Sequence, residues 1–179
     1  MAEELYGIVS ELDEEHQEAV WRLWTDVERE FGVSISKTHV PHFTYHCAKS
    51  YGASVHRLLA NVAATMAPAV TASFILGVFN APPPLFFLPL VRTADLNSIH
   101  RRLWADLGSI ATGVMDRYAA ERWFATVNLA PDLENDISRD LLPFLLQRDV
   151  AWSLTIDNIC LLHDTGERQI IEARFRLTG

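Results

Sequence analysis

Leu5 to Ser10 is a short apolar run of strand length, after which Asp13 opens an acidic first turn. Val20, Leu23, Trp24, Val27 and Phe31 then recur at helical spacing, and Gly32 stops the helix. A β-rich segment follows from Lys37 to Ala48. A second amphipathic helix carries Val55, Leu58, Leu59, Val62 and Met66 and ends at Pro68. Val70 to Phe79 and Leu85 to Val91 read as strands joined by the Asn80 to Pro84 turn, because prolines do not sit in mid-sheet. Asp95 is placed to cap a third helix with Leu96, Ile99, Leu103 and Leu107 on one face. Arg122 to Ala130 reads as a strand ended by Pro131-Asp132, and Ile137 to Gln147 as a helix weakened at Pro143. The C-terminus predicts a hairpin, Trp152 to His163 and Gln169 to Leu177. In its last strand Ile171, Ala173, Phe175 and Leu177 alternate with Glu172, Arg174 and Arg176.

Strand, helix, strand occupies Leu5 to Ala48, and the same order returns from Leu85 to Ala130. Strands mixed with helices outside a regular βαβα rhythm predict an α+β fold with antiparallel sheets. The 179 residues suit one domain, residues 1–179, or two lobes sharing a core. Phosphate-loop, dinucleotide-binding, zinc-protease and serine-hydrolase motifs are all absent.

Composition narrows the partners. Fifteen basic against 23 acidic residues leave a net charge of −8, the wrong sign for coating a long nucleic acid. A nucleic-acid partner is therefore expected to be met at an end or a single nucleotide. Two cysteines, Cys47 and Cys160, make no disulfide framework and lack metal-ligand spacing. Leu58 to Val91 contains no charged residue, but Pro68, Pro82 to Pro84 and Pro89 interrupt it before a membrane span is reached. With no signal-peptide layout at the start, a soluble, cytoplasmic protein is expected.

The informative segment is Pro41-His42-Phe43-Thr44-Tyr45-His46-Cys47. In a regular strand His42, Thr44 and His46 share one face, with Phe43, Tyr45 and Cys47 on the other. His42 and Thr44 then lie about 6.6 Å apart, so that an imidazole and a hydroxyl address different oxygens of one phosphate. A metal held by His39, His42 and His46 is disfavoured, because His42 and His46 are about 13 Å apart along a strand whereas zinc ligands sit near 2 Å from the ion. Neither a metal nor a cofactor is expected. His16 and His56 fall among polar neighbours and read as surface residues. The five tryptophans read as packing, and Cys47 as a small buried apolar residue.

A strand, an amphipathic helix and Pro-His-x-Thr entering a strand resemble the first half of the two-histidine phosphoesterases, the superfamily of the 2'-5' RNA ligases and cyclic phosphodiesterases. The resemblance spans nearly the whole chain, down to Ile156-Asp157-Asn158-Ile159 and the final strand through Phe175. It implies two pseudo-symmetric lobes, each an antiparallel sheet with outer helices, around a cleft that receives one His-x-Thr motif from each lobe. His42 and Thr44 are the first motif, the expected catalytic pair. At the second position Thr126 stands for the histidine and Asn128 for the threonine. With Arg122, these are expected to contact phosphate rather than transfer protons. The implied function is binding of a phosphate ester (a 2',3'-cyclic nucleotide or short RNA end) with weak or absent phosphodiesterase activity. Replacement of the missing imidazole by His46, His100, His163 or Tyr45 stays open. So does a noncatalytic module dimerising through an apolar patch near Leu85 to Leu90.

Overall fold

The computed structural model describes residues 4–79, 84–130 and 137–179. The first strand–helix–strand unit is β1 (Leu5–Glu11), α1 (Glu14–Phe31) and β2 (His42–Ala48). It is followed by β3 (Ser50–Tyr51), α2 (Val55–Thr65), β4 (Ala69–Ser73) and β5 (Gly77–Phe79). The second unit is β6 (Leu85–Pro89), α3 (Ala94–Leu107) and β8 (Thr126–Ala130), with the short β7 (Ala111–Thr112) and a single 3-10 turn (Asp116–Tyr118) inserted before its last strand. Helix α4 (Ile137–Leu145) and strands β9 (Trp152–Ile156), β10 (Asn158–Asp164) and β11 (Gln169–Arg176) complete the α+β fold.

All strand pairs among the described residues are antiparallel. One sheet runs β11-β10-β1-β2 and another β5-β6-β8, with the two-stranded pairs β4-β9 and β3-β7 beside them. β2 and β8 are thus edge strands of their sheets, and their Cα atoms come within 8 Å of one another without pairing. A continuous buried cluster joins the helix faces predicted from periodicity to both sheets. It includes Val20, Trp24 and Val27 of α1, Leu59 of α2, Leu96, Ile99 and Leu103 of α3, and Val127 of β8. Asn158, at the start of β10, clamps the end of β1: its amide donates to the Glu11 carbonyl and accepts from the Glu11 N–H, both at 3.0 Å.

Several expected boundaries move. Lys37 to Pro41 is turn and coil, so the strand begins only at His42. The Thr93 hydroxyl, not Asp95, caps α3 by accepting from Leu96 N–H, and Asp95 falls in the first turn. Residues 74–76 divide the expected Val70 to Phe79 strand into β4, paired with β9, and β5, paired with β6. The Trp152 to His163 arm likewise breaks at Asp157, because β9 and β10 belong to different sheets. The turn at Asn80 to Pro84 falls mostly, and Pro131-Asp132 wholly, outside the described residues. Pro143 sits inside α4.

His16 is buried rather than on the surface. Its ring packs against Trp152 at 5.2 Å, and its Nδ1 lies 2.5 Å from the Asp13 carboxylate that caps α1. The stretch expected to offer an apolar patch is mostly turned inward: Phe86, Phe87, Leu88 and Leu90 are all buried. None of the helices among the described residues is long and apolar enough to cross a membrane.

Candidate functional site

A pocket of about 520 Å³ opens between the two edge strands. β2 contributes His42 and Thr44, β8 contributes Thr126 and Asn128, and Arg122 enters from the turn before β8. The structure therefore gathers all five residues singled out in the sequence around one space. Phe79, Leu85 and Phe124 form an apolar wall, and Arg117 and Tyr118 of the 3-10 turn close another side.

The two motif strands are built alike. His42-x-Thr44 recurs 84 residues later as Thr126-x-Asn128. In β2 the residue after Thr44, Tyr45, is the extra residue of a bulge opposite Ile8 and Val9. In β8 the residue after Asn128, Leu129, is the extra residue opposite Phe86 and Phe87. A bulge ends regular alternation and re-aims the side chains beyond it. Its effect in β2 can be read from the partner strand, because cross-strand neighbours share a face. His42, Thr44 and Cys47 oppose Glu11, Val9 and Gly7, which are alternate residues of β1, whereas His46 opposes Ile8 on the core face. The bulge thus exchanges the faces that regular alternation assigns to His46 and Cys47. His46 goes inward, 2.7 Å from the Tyr51 hydroxyl and packed on Trp104. Cys47 joins the His42 face but stays buried, and burial pushes its thiol up to about 11, so it remains protonated.

His42 has a defined tautomer. Its Nδ1–H donates to the Val40 carbonyl at 2.7 Å, leaving Nε2 for the pocket. Burial lowers its pKa below the ordinary histidine value, against the smaller opposing influence of the Val40 carbonyl. The resting imidazole is neutral at pH 7, with a lone pair on Nε2, as a general base requires. Tyr118 lies beside Thr44, and its hydroxyl accepts a 3.0 Å bond from Arg117. Burial raises its pKa, so the phenol keeps its proton.

Buried indoles hold this arrangement. Trp123 Nε1–H donates to the Thr44 carbonyl at 2.8 Å, and Trp104 Nε1–H to the Tyr45 carbonyl at 3.0 Å. These bonds satisfy edge-strand carbonyls that no further strand can reach. His100 stacks on Trp123 at 4.0 Å and lies 2.8 Å from the Tyr118 carbonyl through Nε2, which fixes the segment bearing Arg117 and Tyr118.

Protein-family models and curated proteins yield no match to this sequence. Solved structures do. TT0787 of Thermus thermophilus superposes with a TM-score of 0.59 at 15% identity, over 98% of each chain. E. coli LigT complexed with 3'-AMP does so at 0.54 and 10% identity, over 99% of this chain and all of LigT. LigT complexed with NADP+ gives 0.54 and 12% over the full length of both. The chain has the LigT fold. At these identities the likeness concerns the fold, and it agrees with the architecture that the two-histidine phosphoesterase resemblance implies.

On that LigT-like framework Tyr45, His46, His100 and His163, the residues expected to be able to supply a second proton-transfer group, all lie outside the pocket lining. Tyr45 is fully buried and 2.9 Å from the Ser10 hydroxyl. His46 and His100 belong to the core behind β2. His163 of β10 stacks on Tyr6 of β1 and lies between Glu4 and Glu172. Among the described residues no group of three His, Cys, Asp or Glu side chains is arranged to hold a metal ion. Sequence reasoning missed Arg117, Tyr118, Phe79, Leu85 and Phe124. Arg117 and Tyr118 precede the second motif in an irregular stretch without periodicity, and the Phe79 side of the wall depends on a close backbone approach. Gly77 lies opposite Phe87, and a Cβ there would meet the Phe87 ring at 2.4 Å. Without it, Phe87 stacks on Phe79 at 4.2 Å and carries Phe124 at 5.6 Å.

Proposed function

We propose that this pocket binds the phosphate ester of a nucleotide or short RNA end and hydrolyses a cyclic ester weakly or not at all. The observation that carries the reading is the convergence of two equivalent polar pairs, His42/Thr44 and Thr126/Asn128, from two edge strands onto one pocket. LigT has been solved with 3'-AMP, NADP+ and phosphate, which all carry phosphate groups. Phe79 and Phe124 are 43% and 49% exposed at the pocket, leaving aromatic surface for a base to stack on. A phosphate beside His42 Nε2 favours protonation of that nitrogen, which then donates a charge-assisted hydrogen bond. Thr44, Thr126 and Asn128 offer neutral donors to the other oxygens.

Hydrolysis needs more. His42 Nε2 can take the proton of an attacking water, but the departing ribose oxygen must also gain one, and neither Thr126 nor Asn128 titrates near neutrality. The expected remnant is binding with slow chemistry. Titration of 3'-AMP by calorimetry should show His42→Ala weakening binding about tenfold, the loss of one hydrogen bond to a charged group. Equal affinity in the two proteins would remove His42 from the site. Tight, steeply salt-dependent binding of a long RNA would reject the short-ligand part, which rests on the net charge of −8.

A further inference from the structure

The charge of the pocket exceeds what a cyclic phosphate offers in return. Arg117 and Arg122 are both exposed at its mouth, and neither is ion-paired among the described residues. Among the described residues no carboxylate lines the pocket. The two guanidiniums are placed by one short segment. Met115 N–H bonds the Cys47 carbonyl at 2.9 Å, which ties the 3-10 turn to β2. Arg122 N–H and Trp123 N–H bond the Ala119 carbonyl at 2.9 and 2.7 Å, which closes the next turn against the buried Trp123. Arg117 is held further: its guanidinium lies 4.9 Å from the centre of the Tyr118 ring and donates to the phenol oxygen. That contact occupies a single N–H, leaving most of the donor fork for a ligand.

Among the described lining residues the charged groups are therefore two guanidiniums, and the remaining polar groups are neutral at rest. A 2',3'-cyclic phosphate is a diester with one negative charge and two non-bridging oxygens. A terminal phosphomonoester carries about −1.5 to −2 at pH 7 and presents three acceptor oxygens. His42 and Thr44 serve either ester alike, since both have two oxygens to offer them. The third oxygen and the second charge are what distinguish the monoester, and the two arginines are the groups suited to them.

Building on the phosphate-ester reading, we propose that the pocket selects a terminal nucleotide phosphomonoester over the cyclic diester, with Arg117 and Arg122 reading the additional charge. Such a site retains the open form of a nucleotide end rather than the ring from which hydrolysis would produce it. The absence of a second imidazole fits that use, because recognition needs donors and charge but no proton relay.

The test is calorimetric titration of the natural chain with 3'-AMP, 2',3'-cyclic AMP and adenosine at pH 8 and low salt. The expected result is 3'-AMP binding about tenfold or more tighter than the cyclic nucleotide, with adenosine weakest. Arg117→Gln and Arg122→Gln should each weaken 3'-AMP several-fold while changing the cyclic nucleotide little, so that the ratio falls toward one. Far-ultraviolet circular dichroism and the unfolding midpoint check that these exposed variants stay folded. Equal binding of the two nucleotides, or arginine variants that weaken both equally, would overturn the selectivity and leave the phosphate-ester reading standing. Binding of neither nucleotide, or of adenosine as tightly as both, would overturn the phosphate-ester reading and the selectivity with it.

Discussion

Thr126→His is expected to raise turnover of 2',3'-cyclic nucleotides by about 10²- to 10⁴-fold over the natural protein, the usual contribution of one positioned general acid or base. Thr126 lines the pocket at the place on β8 that His42 holds on β2, with the same bulge three residues further on. A histidine there would face the reacting ester from the other edge strand. His42 would take the proton from water, and the new imidazolium would give one to the departing ribose oxygen. Turnover of 2',3'-cyclic AMP by the natural protein, Thr126→His, and Thr126→His with His42→Ala measures this directly. The gain should appear in the first variant and vanish in the double variant. Robust turnover by the natural protein that His42→Ala abolishes and Thr126→His leaves unchanged would show that another group already supplies the second proton.

The second large effect concerns acid. His46 and His100 are both buried, at 1% and 0% exposure, and each is left with one ring nitrogen that has no hydrogen-bond partner. Burial first, and their mutual proximity in the case of His46, pushes each pKa down to about 4 from 6.5. The unfolded chain takes up these protons near pH 6.5, and the folded chain only near pH 4. Stability is therefore full above about pH 6.5 and is lost as pH falls toward 4. At 1.36 kcal/mol per unit, one such histidine corresponds to about 3 kcal/mol across that window, and the two are coupled rather than independent. Urea unfolding at steps from pH 7.5 to 4.5 should show this decline. His100→Gln keeps a donor for the Tyr118 carbonyl and removes one titrating group, so its slope against pH should be shallower by about one proton. An unchanged slope would mean that His100 is not responsible.

Much of the fold was legible along the chain. The spacing of Val20, Leu23, Trp24 and Val27, and of Leu96, Ile99, Leu103 and Leu107, marks the buried faces of α1 and α3, because a helix packed on a sheet must present one apolar stripe. The duplicated strand–helix–strand order, together with the Pro-His-x-Thr entry to a strand, led to the LigT-like architecture. What misled was local. Asp95 has the chemistry of a cap, but Thr93 has the extended backbone that a capping residue needs, with φ −65° and ψ 165°. His16 stands among Glu and Gln in the sequence, yet its helix face meets Trp152 from the distant β9. Neither outcome is written in the neighbouring residues, since backbone course and long-range packing decide them.

The sequence by itself determined the alternation that pairs His42 with Thr44 and Thr126 with Asn128, the α+β class, and a charge balance unsuited to long nucleic acids. The tertiary structure alone decided which further residues line the pocket beside those pairs. Two bulges, one in each motif strand, set where the alternation ends, so that His46 enters the core while Cys47 turns to the His42 face. The placing of Arg117, Tyr118, Phe79 and Phe124 beside them depends on sheet edges brought together from distant parts of the chain. A strand's periodicity reports its two faces, but not where the register slips or what lies across an edge, because both are settled by the partner strand and the packing behind it.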